Sequence, residues 1–304
     1  MSTTSPKIRQ QVDSGAIPSY IANVAPKGTK MWLLDVGWLE ADEAFVVRGG
    51  NTSLKSTAGQ SFVNKRRQLP MYCVLIDHPI EGVILWETGA GKDYPTIWGP
   101  QLSDVFARVR YEPEHELEAA INATGHKLED VKKIIIGHLH LDHAGGLDIF
   151  MDRPDIEIWT HDVELRSAFW SVATGADAGV YQQHYLNLGL NWKTFEDRTM
   201  DFCQGITLHH LPGHTDGLIG MQVNLQDTGT FIFISDHCHV IENWRDGIPQ
   251  GWLARNHPAW FSSTQRLKQL ERQTRGRIVP GHDEETLLGL QNEAAQQSEK
   301  GVFT

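Results

Sequence analysis

Residues 138–146 read HLHLDHAGG: three histidines and an aspartate within six positions, then two glycines. Polar runs are ordinary in loops, so the spacing has to carry the argument. In an extended segment, side chains at i and i+2 point the same way while their neighbours point oppositely. His138 and His140 can therefore converge on one point, leaving Leu141 to pack elsewhere. Asp142 and His143 follow as the chain bends, and can face a second point nearby. Gly145 and Gly146 let the backbone turn tightly without a Cβ clash. Two neighbouring clusters of nitrogen and oxygen donors suit two borderline cations such as zinc. Calcium and magnesium prefer all-oxygen shells.

Such a site needs more donors, and three stand in the same kind of context, each just after an apolar run. LPGHTDG places His214 after ITLHHL, FISDHCH places Asp236 at the end of FIFIS, and IVPGHDE places His282 after RIV. A rigid strand end can present each to a common centre. Alone, any one of them reads more readily as a turn or core residue. The remaining histidines are read as structural: His209 and His210 inside a strand, and His78, His115, His126, His161, His184 and His257 scattered.

Outward from this centre the chain alternates strand and helix signals. Runs rich in branched and aromatic residues predict strands at 31–39, 44–49, 71–77, 82–88, 131–137, 156–161, 206–211, 220–225, 230–236 and 277–279. Helical spacing marks 113–131, with Gly125 placed to end it, then 163–175, about 260–274 and a last helix after 285. The 50–70 segment between strands is long for a hairpin and is a candidate lid. Residues 1–28, punctuated by Pro6, Pro18, Pro26 and Gly28, read as an arm ahead of one domain over 29–304. Two strand blocks mixed with helices suggest two stacked sheets with helices outside.

Bulk properties narrow the function class. The 304 residues carry a net charge of −11, which argues against a nucleic-acid or anionic-membrane binder. Cys73, Cys203 and Cys238 are odd in number, with no CxxC pair, as expected in a reducing, cytoplasmic compartment. No secretory signal and no membrane-spanning run is read.

HLHLDHAGG, followed in order by His214, Asp236 and His282, resembles the metallo-β-lactamase superfamily over roughly residues 30–290. The resemblance implies an α/β fold, an αββα four-layer sandwich with two metals at one edge. It implies His138, His140 and His214 on the first metal, and Asp142, His143 and His282 on the second, with Asp236 bridging. Two Zn2+ per chain are expected, and the likeness suggests a homodimer. Within the superfamily the chain is most similar to the N-acyl-homoserine lactonases, the quorum-quenching lactonases, through HLHLDHAGG, LPGHTDG, SDHCH, ENW and GHDEE. Two departures stand out. His239 occupies the place of a tyrosine three residues after the bridging aspartate, and ETG (Glu87–Gly89) replaces the usual DTG.

The implied chemistry is attack on a lactone carbonyl by a metal-bridging hydroxide, since coordination lowers the pKa of water towards about 7. Asp142 would shuttle the proton to the leaving oxygen, and His239 would donate to the carbonyl or act as an acid. Trp244, Gly251 and Trp252, in ENWRDGIPQGWLA, are expected beside the substrate, and Cys238 should point away from the metals. The alternative is a hydrolase of another cyclic acyl compound: a lactam, a cyclic carbamate or a larger lactone. A glyoxalase II-like thioesterase is less favoured, because only 22 residues follow His282. A flavodiiron-like oxidoreductase would want a carboxylate at His140.

Overall fold

The computed structural model describes residues 23–59, 61, 63–177, 179–298 and 301–304. Seven strands build the first sheet: β1 (Lys30–Asp42), β2 (Arg66–His78), β3 (Gly82–Trp86), β4 (Ala107–Arg110), β5 (Val131–Ile135), β6 (Glu157–His161) and β7 (Trp192–Phe195). Their order is β4-β1-β2-β3-β5-β6-β7, antiparallel from β4 to β3 and parallel from β3 to β7. Five strands build the second: β8 (Thr199–Cys203), β9 (Ile206–His210), β10 (Ile219–Leu225), β11 (Gly229–Phe233) and β12 (Arg277–Val279). These run β12-β11-β10-β9-β8, antiparallel except for β11 and β12.

Side-chain alternation explains why the sheets stack. Along β2, Tyr72, Val74 and Ile76 join Leu208, Met221, Phe231 and Phe233 of the second sheet in one buried cluster. The intervening Met71, Cys73 and Leu75 face the other way, into a cluster with helical residues. Those helices are α1 (Tyr94–Val105), α2 (Leu117–Ala123) and α3 (Asp162–Thr174), which contribute Trp98, Ile121 and Ala168. On the far face of the second sheet, Ile232 and Ile234 pack under Trp260 and Leu267 of α4 (His257–Thr274). Strands apolar on both faces are what a layer buried on both sides requires. The fold is the expected αββα sandwich, with α5 (Glu284–Gln297) inserting Leu287 and Leu290 into the core between the sheets.

Several expectations change. The apolar run at 44–49 is no strand: Asp42 Oδ1 accepts the Ala44 N–H at 2.8 Å and caps a short helix over Glu43–Val46. A cap thus outweighs the β-preference of Val46 and Val47. β2 begins at Arg66 rather than 71, because its first residues pair with the far end of β1 (Asp42 opposite Arg66). Pro70 is tolerated there beside a register break between Asp35 and Trp38 of β1, where Gly37 takes φ +102°. The candidate lid therefore spans only the residues before Arg66. Its ends are stapled where Lys65 N–H donates to Asn51 Oδ1 at 2.8 Å. Strands β4, β7 and β8 and the helix α1, which carries Pro95, Gly99 and Pro100, had no readable signal. Of the proposed arm, residues 1–22 lie outside the described residues. Residues 23–28 run along the second sheet, where Ala25 is buried and its N–H donates to Asn224 O at 2.8 Å. Among the described residues, no helix is long and apolar enough to cross a membrane.

Candidate metal centre

β5 and its continuation deliver HLHLDHAGG to one edge of the stacked sheets. Gly137 is required just before it, since a Cβ there would lie 2.4 Å from Glu87 Oε1 and 2.8 Å from Ser235 Oγ. Extended backbone through His140 sets the His138 and His140 rings 4.5 Å apart, while Leu139 and Leu141 turn into the core. One helical turn, Leu141–Ala144, then carries Asp142 and His143. Gly145 and Gly146 serve differently from the expectation of a tight turn. Neither has positive φ, but a Cβ on either would strike the backbone of Ala90 at 2.3 Å or Thr88 at 2.4 Å.

The distant strand ends meet this turn, and the geometry centres on Asp236. Its Oδ2 lies 3.8 Å from His138 Nε2, 3.5 Å from His214 Nε2 and 3.2 Å from His239 Nε2. Its Oδ1 lies 3.2 Å from His143 Nε2 and 3.1 Å from His282 Nε2. His214 Nε2 is also 3.0 Å from His140 Nδ1, and Asp142 reaches His143 at 3.8 Å and His282 at 3.5 Å. One carboxylate therefore turns each oxygen to a separate histidine cluster. Sets able to hold a metal ion include His138–His140–His214, Asp142–His143–His282 and His214–Asp236–His239. A further set, Glu87–His138–His143, shares those histidines, but Glu87 approaches His143 from its Nδ1 side at 3.2 Å.

Outer partners fix which nitrogen faces inward. His138 Nδ1 lies 3.2 Å from Ser235 Oγ, His214 Nδ1 3.3 Å from Gln250 Oε1, and His282 Nδ1 3.0 Å from Pro70 O. A partner on Nδ1 orients the ring and leaves Nε2 for a cation. Glu87 takes this role for His143. Buried and held at φ +61°, it also accepts from Gly137 N–H at 3.2 Å and Ser235 Oγ at 3.0 Å. A left-handed φ on a non-glycine residue is strain that the surrounding bonds must hold. Glu164, fully buried on α3, ties both ligand-bearing loops together. It accepts from Leu139 N–H at 2.9 Å, Tyr181 OH at 3.1 Å, Thr215 Oγ1 at 2.6 Å and Gly217 N–H at 3.2 Å. Sequence reading missed Gln250, Ser235 and Glu164. Only Glu164 carried a signal, as an acid four residues before Ala168 on the buried face of a helix.

The residues fit cations on a second count. His138 Nε2 and His239 Nδ1 are buried with no hydrogen-bond partner among the described residues, and the inward Nε2 atoms of His143, His282 and His239 have only the Asp236 carboxylate within 3.1–3.2 Å. Leaving such atoms unsatisfied costs about 1–3 kcal/mol each, so a ligand is the economical explanation. Burial, then neighbouring imidazoles or Arg255, pushes His138, His140 and His214 well below the usual histidine range, which keeps them neutral donors. Burial would also raise the Asp236 carboxyl, but His282, His143 and His239 outweigh it and hold it well below the carboxylate range. At His143 burial opposes protonation, yet Asp236, Glu87 and Asp142 lift the imidazolium well above its ordinary value.

A profile of the family described as the metallo-beta-lactamase superfamily matches residues 66–282. The chain belongs to that superfamily. Among curated members it is 23% identical over 274 residues to N-acyl homoserine lactonase AiiB of Agrobacterium fabrum, covering 86% of this chain and 96% of the relative. It is 27% identical over 230 residues to an N-acyl homoserine lactonase of Bacillus cereus, covering 73% and 84%. A crystal structure of a B. thuringiensis AiiA variant with N-decanoyl-L-homoserine at its active site superposes with TM-score 0.70 at 23% identity, over 86% of this chain and 95% of that one. AidC, a dizinc quorum-quenching lactonase in complex with a product, gives TM-score 0.62 at 15% identity, over 84% and 88%. These superpositions show a shared fold.

Not every expected residue of this superfamily member lies at the centre. Trp244 packs in the cluster under α4, its indole N–H donating to Glu271 at 3.2 Å, because the turn over Ile241–Arg245 points it away from the edge. Gly251 serves backbone contact, since a Cβ there would lie 1.8 Å from Ala44 O. Trp252 donates its N–H to Ala44 O at 3.1 Å and leaves its side chain in solvent, 78% exposed. Cys238 faces the apolar cluster, away from the donors.

Proposed function

We propose that the chain is a dinuclear metal-dependent hydrolase that opens a lactone ring, that of an N-acyl-homoserine lactone. The observation that carries this reading is Asp236, with one oxygen towards His138 and His214 and the other towards His143 and His282. In this reading His138, His140 and His214 would hold one cation and Asp142, His143 and His282 the other, with Asp236 placed to serve both. Bound cations of the zinc type supply Lewis acidity, making water nucleophilic near neutral pH and drawing charge from an ester carbonyl. The relatives' names supply the substrate class, and the ligand chemistry is common to it.

The chain's own groups then manage the proton. Asp142 is the most exposed of these donors, with 18% of its side chain accessible, and its oxygens lie within 3.8 Å of His143 and His282. It takes the proton of the attacking water and passes it to the ring oxygen as the acyl C–O bond breaks, giving an acid and an alcohol. Glu87, Ser235, Gln250 and the Pro70 carbonyl keep the imidazoles oriented during turnover. A cavity of about 520 Å³ reaches His282, and its lining includes Lys65, Arg67, Glu242 and Arg245 beside Val240 and Ile241.

That charged lining, together with His239 in place of the tyrosine, favours a second reading: a hydrolase of a cyclic acyl compound with a short or polar substituent. Zinc-loaded protein assayed against homoserine lactones of graded acyl length separates the two. Turnover of the series supports the first. Absence of hydrolysis at every length, by protein carrying two metals per chain, removes the lactone reading and leaves the metal reading standing.

A further inference from the structure

His239 differs from His138, His143, His214 and His282 in having no outer partner on its ring. It is 1% exposed, its Nδ1 lacks a hydrogen-bond partner among the described residues, and its Nε2 faces Asp236 Oδ2 at 3.2 Å. Its backbone is fixed at both ends: its N–H donates to Asn243 Oδ1 at 3.0 Å, and its carbonyl accepts the His282 N–H at 2.8 Å. Cys238 is extended (φ −134°, ψ 126°), so its side chain turns into the apolar cluster while His239 turns back to the side of Asp236. The ring then stands between the two clusters, 5.0 Å from His214 edge to face and 6.0 Å from His282 nearly parallel.

Resting on the dinuclear reading above, we propose that His239 is itself a metal ligand, sharing with His214 and Asp236 the cation on their side of the centre. The distances carry it. Donors about 2.0–2.1 Å from one zinc stand roughly 3.3–3.4 Å apart in a tetrahedron. His239 Nε2 lies 3.2 Å from Asp236 Oδ2, His214 Nε2 lies 3.5 Å from the same oxygen, and His214 Nε2 lies 3.0 Å from His140 Nδ1. His214, Asp236 and His239 also form a metal-capable set of their own.

The consequence is an asymmetric pair. The first side offers nitrogens of His138, His140, His214 and His239 and one oxygen of Asp236, all of them buried. The second offers His143, His282, Asp142 and the other oxygen of Asp236, and Asp142 is the partly exposed member.

The test uses the full-length protein loaded with cobalt(II). Hyperfine-shifted imidazole resonances are expected from His138, His140, His143, His214, His239 and His282 in the unsubstituted protein. The His239 signal should vanish in His239→Gln and in His239→Tyr. Chelator competition should show one cobalt equivalent weakened at least ~10-fold in both variants, with a changed visible absorption for that equivalent and the other unmoved. A spectrum of the unsubstituted protein that lacks a His239 resonance overturns the proposal, whether or not the variants fold. So do affinities and absorption identical in all three proteins. Failure of the unsubstituted protein to take up two cobalt ions overturns the dinuclear reading and this inference together.

Discussion

Two regions of this molecule crowd histidines, and they differ in kind. At the sheet edge the rings surround the carboxylate of Asp236, with the Nδ1 atoms of His138, His214 and His282 held from outside and their Nε2 atoms facing inward. At the ends of β6 and β9, His161 and His210 stack face to face, 3.9 Å apart and 10° from parallel. There His210 Nε2 lies 2.8 Å from Asp216 O and His209 Nε2 lies 3.0 Å from Gln222 Oε1, while His161 Nε2 is buried and, among the described residues, has no hydrogen-bond partner and meets no carboxylate. Burial, followed by the neighbouring His210, lowers His161 to about 4, and burial likewise lowers His209 to about 4. Among the described residues, every metal-capable set belongs to the first region. Proximity of imidazoles does not make a metal site. A shared anion and unsatisfied, converging nitrogens do.

The largest effect should come from removing that anion. Asp236→Asn keeps the shape and deletes the charge that faces both clusters. Metal content is expected to fall below one per chain by elemental analysis. Lactone turnover should drop by more than the roughly 10–100-fold that loss of an outer partner costs. Two metals retained by this variant would break the contrast between the regions.

Next comes acid sensitivity from the second region. His209 is neutral in the fold, with its pKa lowered from 6.5 to about 4, so the unfolded chain gains a proton first as pH falls. Its contribution is fully present above about pH 6.5 and is lost on descent to about 4, a change on the order of 3 kcal/mol. Urea unfolding at pH 7 and pH 5 measures it. His209→Gln, which cannot titrate, should lose less stability over that interval than the unsubstituted protein. An equal loss in both would exclude His209 as the source.

A smaller change is expected when one outer contact is cut. Gln250 approaches His214 Nδ1 at 3.3 Å and donates to the carbonyls of Asp236 and His237. Gln250→Ala should weaken metal binding about 10–100-fold in chelator competition while both ions still bind at saturation. Unchanged affinity would mean that orientation from outside is not what separates the two regions.

Much of the centre was legible because it is local. HLHLDHAGG holds four of the donors within six positions, and alternation along an extended segment aims two of them together whatever the rest of the chain does. His214, Asp236 and His282 were legible through repetition of one context, a polar residue just after an apolar strand. The wall residues failed for the opposite reason. Nothing local to ENWRDGIPQGWLA says that Trp244 turns under α4, or that Gly251 is needed for its approach to Ala44. The run at 44–49 failed because a single capping contact from Asp42 competes with intrinsic preference.

The amino-acid order alone marked the alternating strands and helices and the candidate donors, since periodicity and ligand chemistry are properties of short segments. The four-layer arrangement was read through the resemblance to the superfamily. Tertiary structure alone decided that Asp236 divides its oxygens between two clusters, that Glu164 and Gln250 brace them, and that His239 lies inside the ring of donors. Those facts depend on where strands far apart in sequence come to rest. A few tenths of an ångström separate a ligand from a neighbour, and only the packed sheets fix distances that finely.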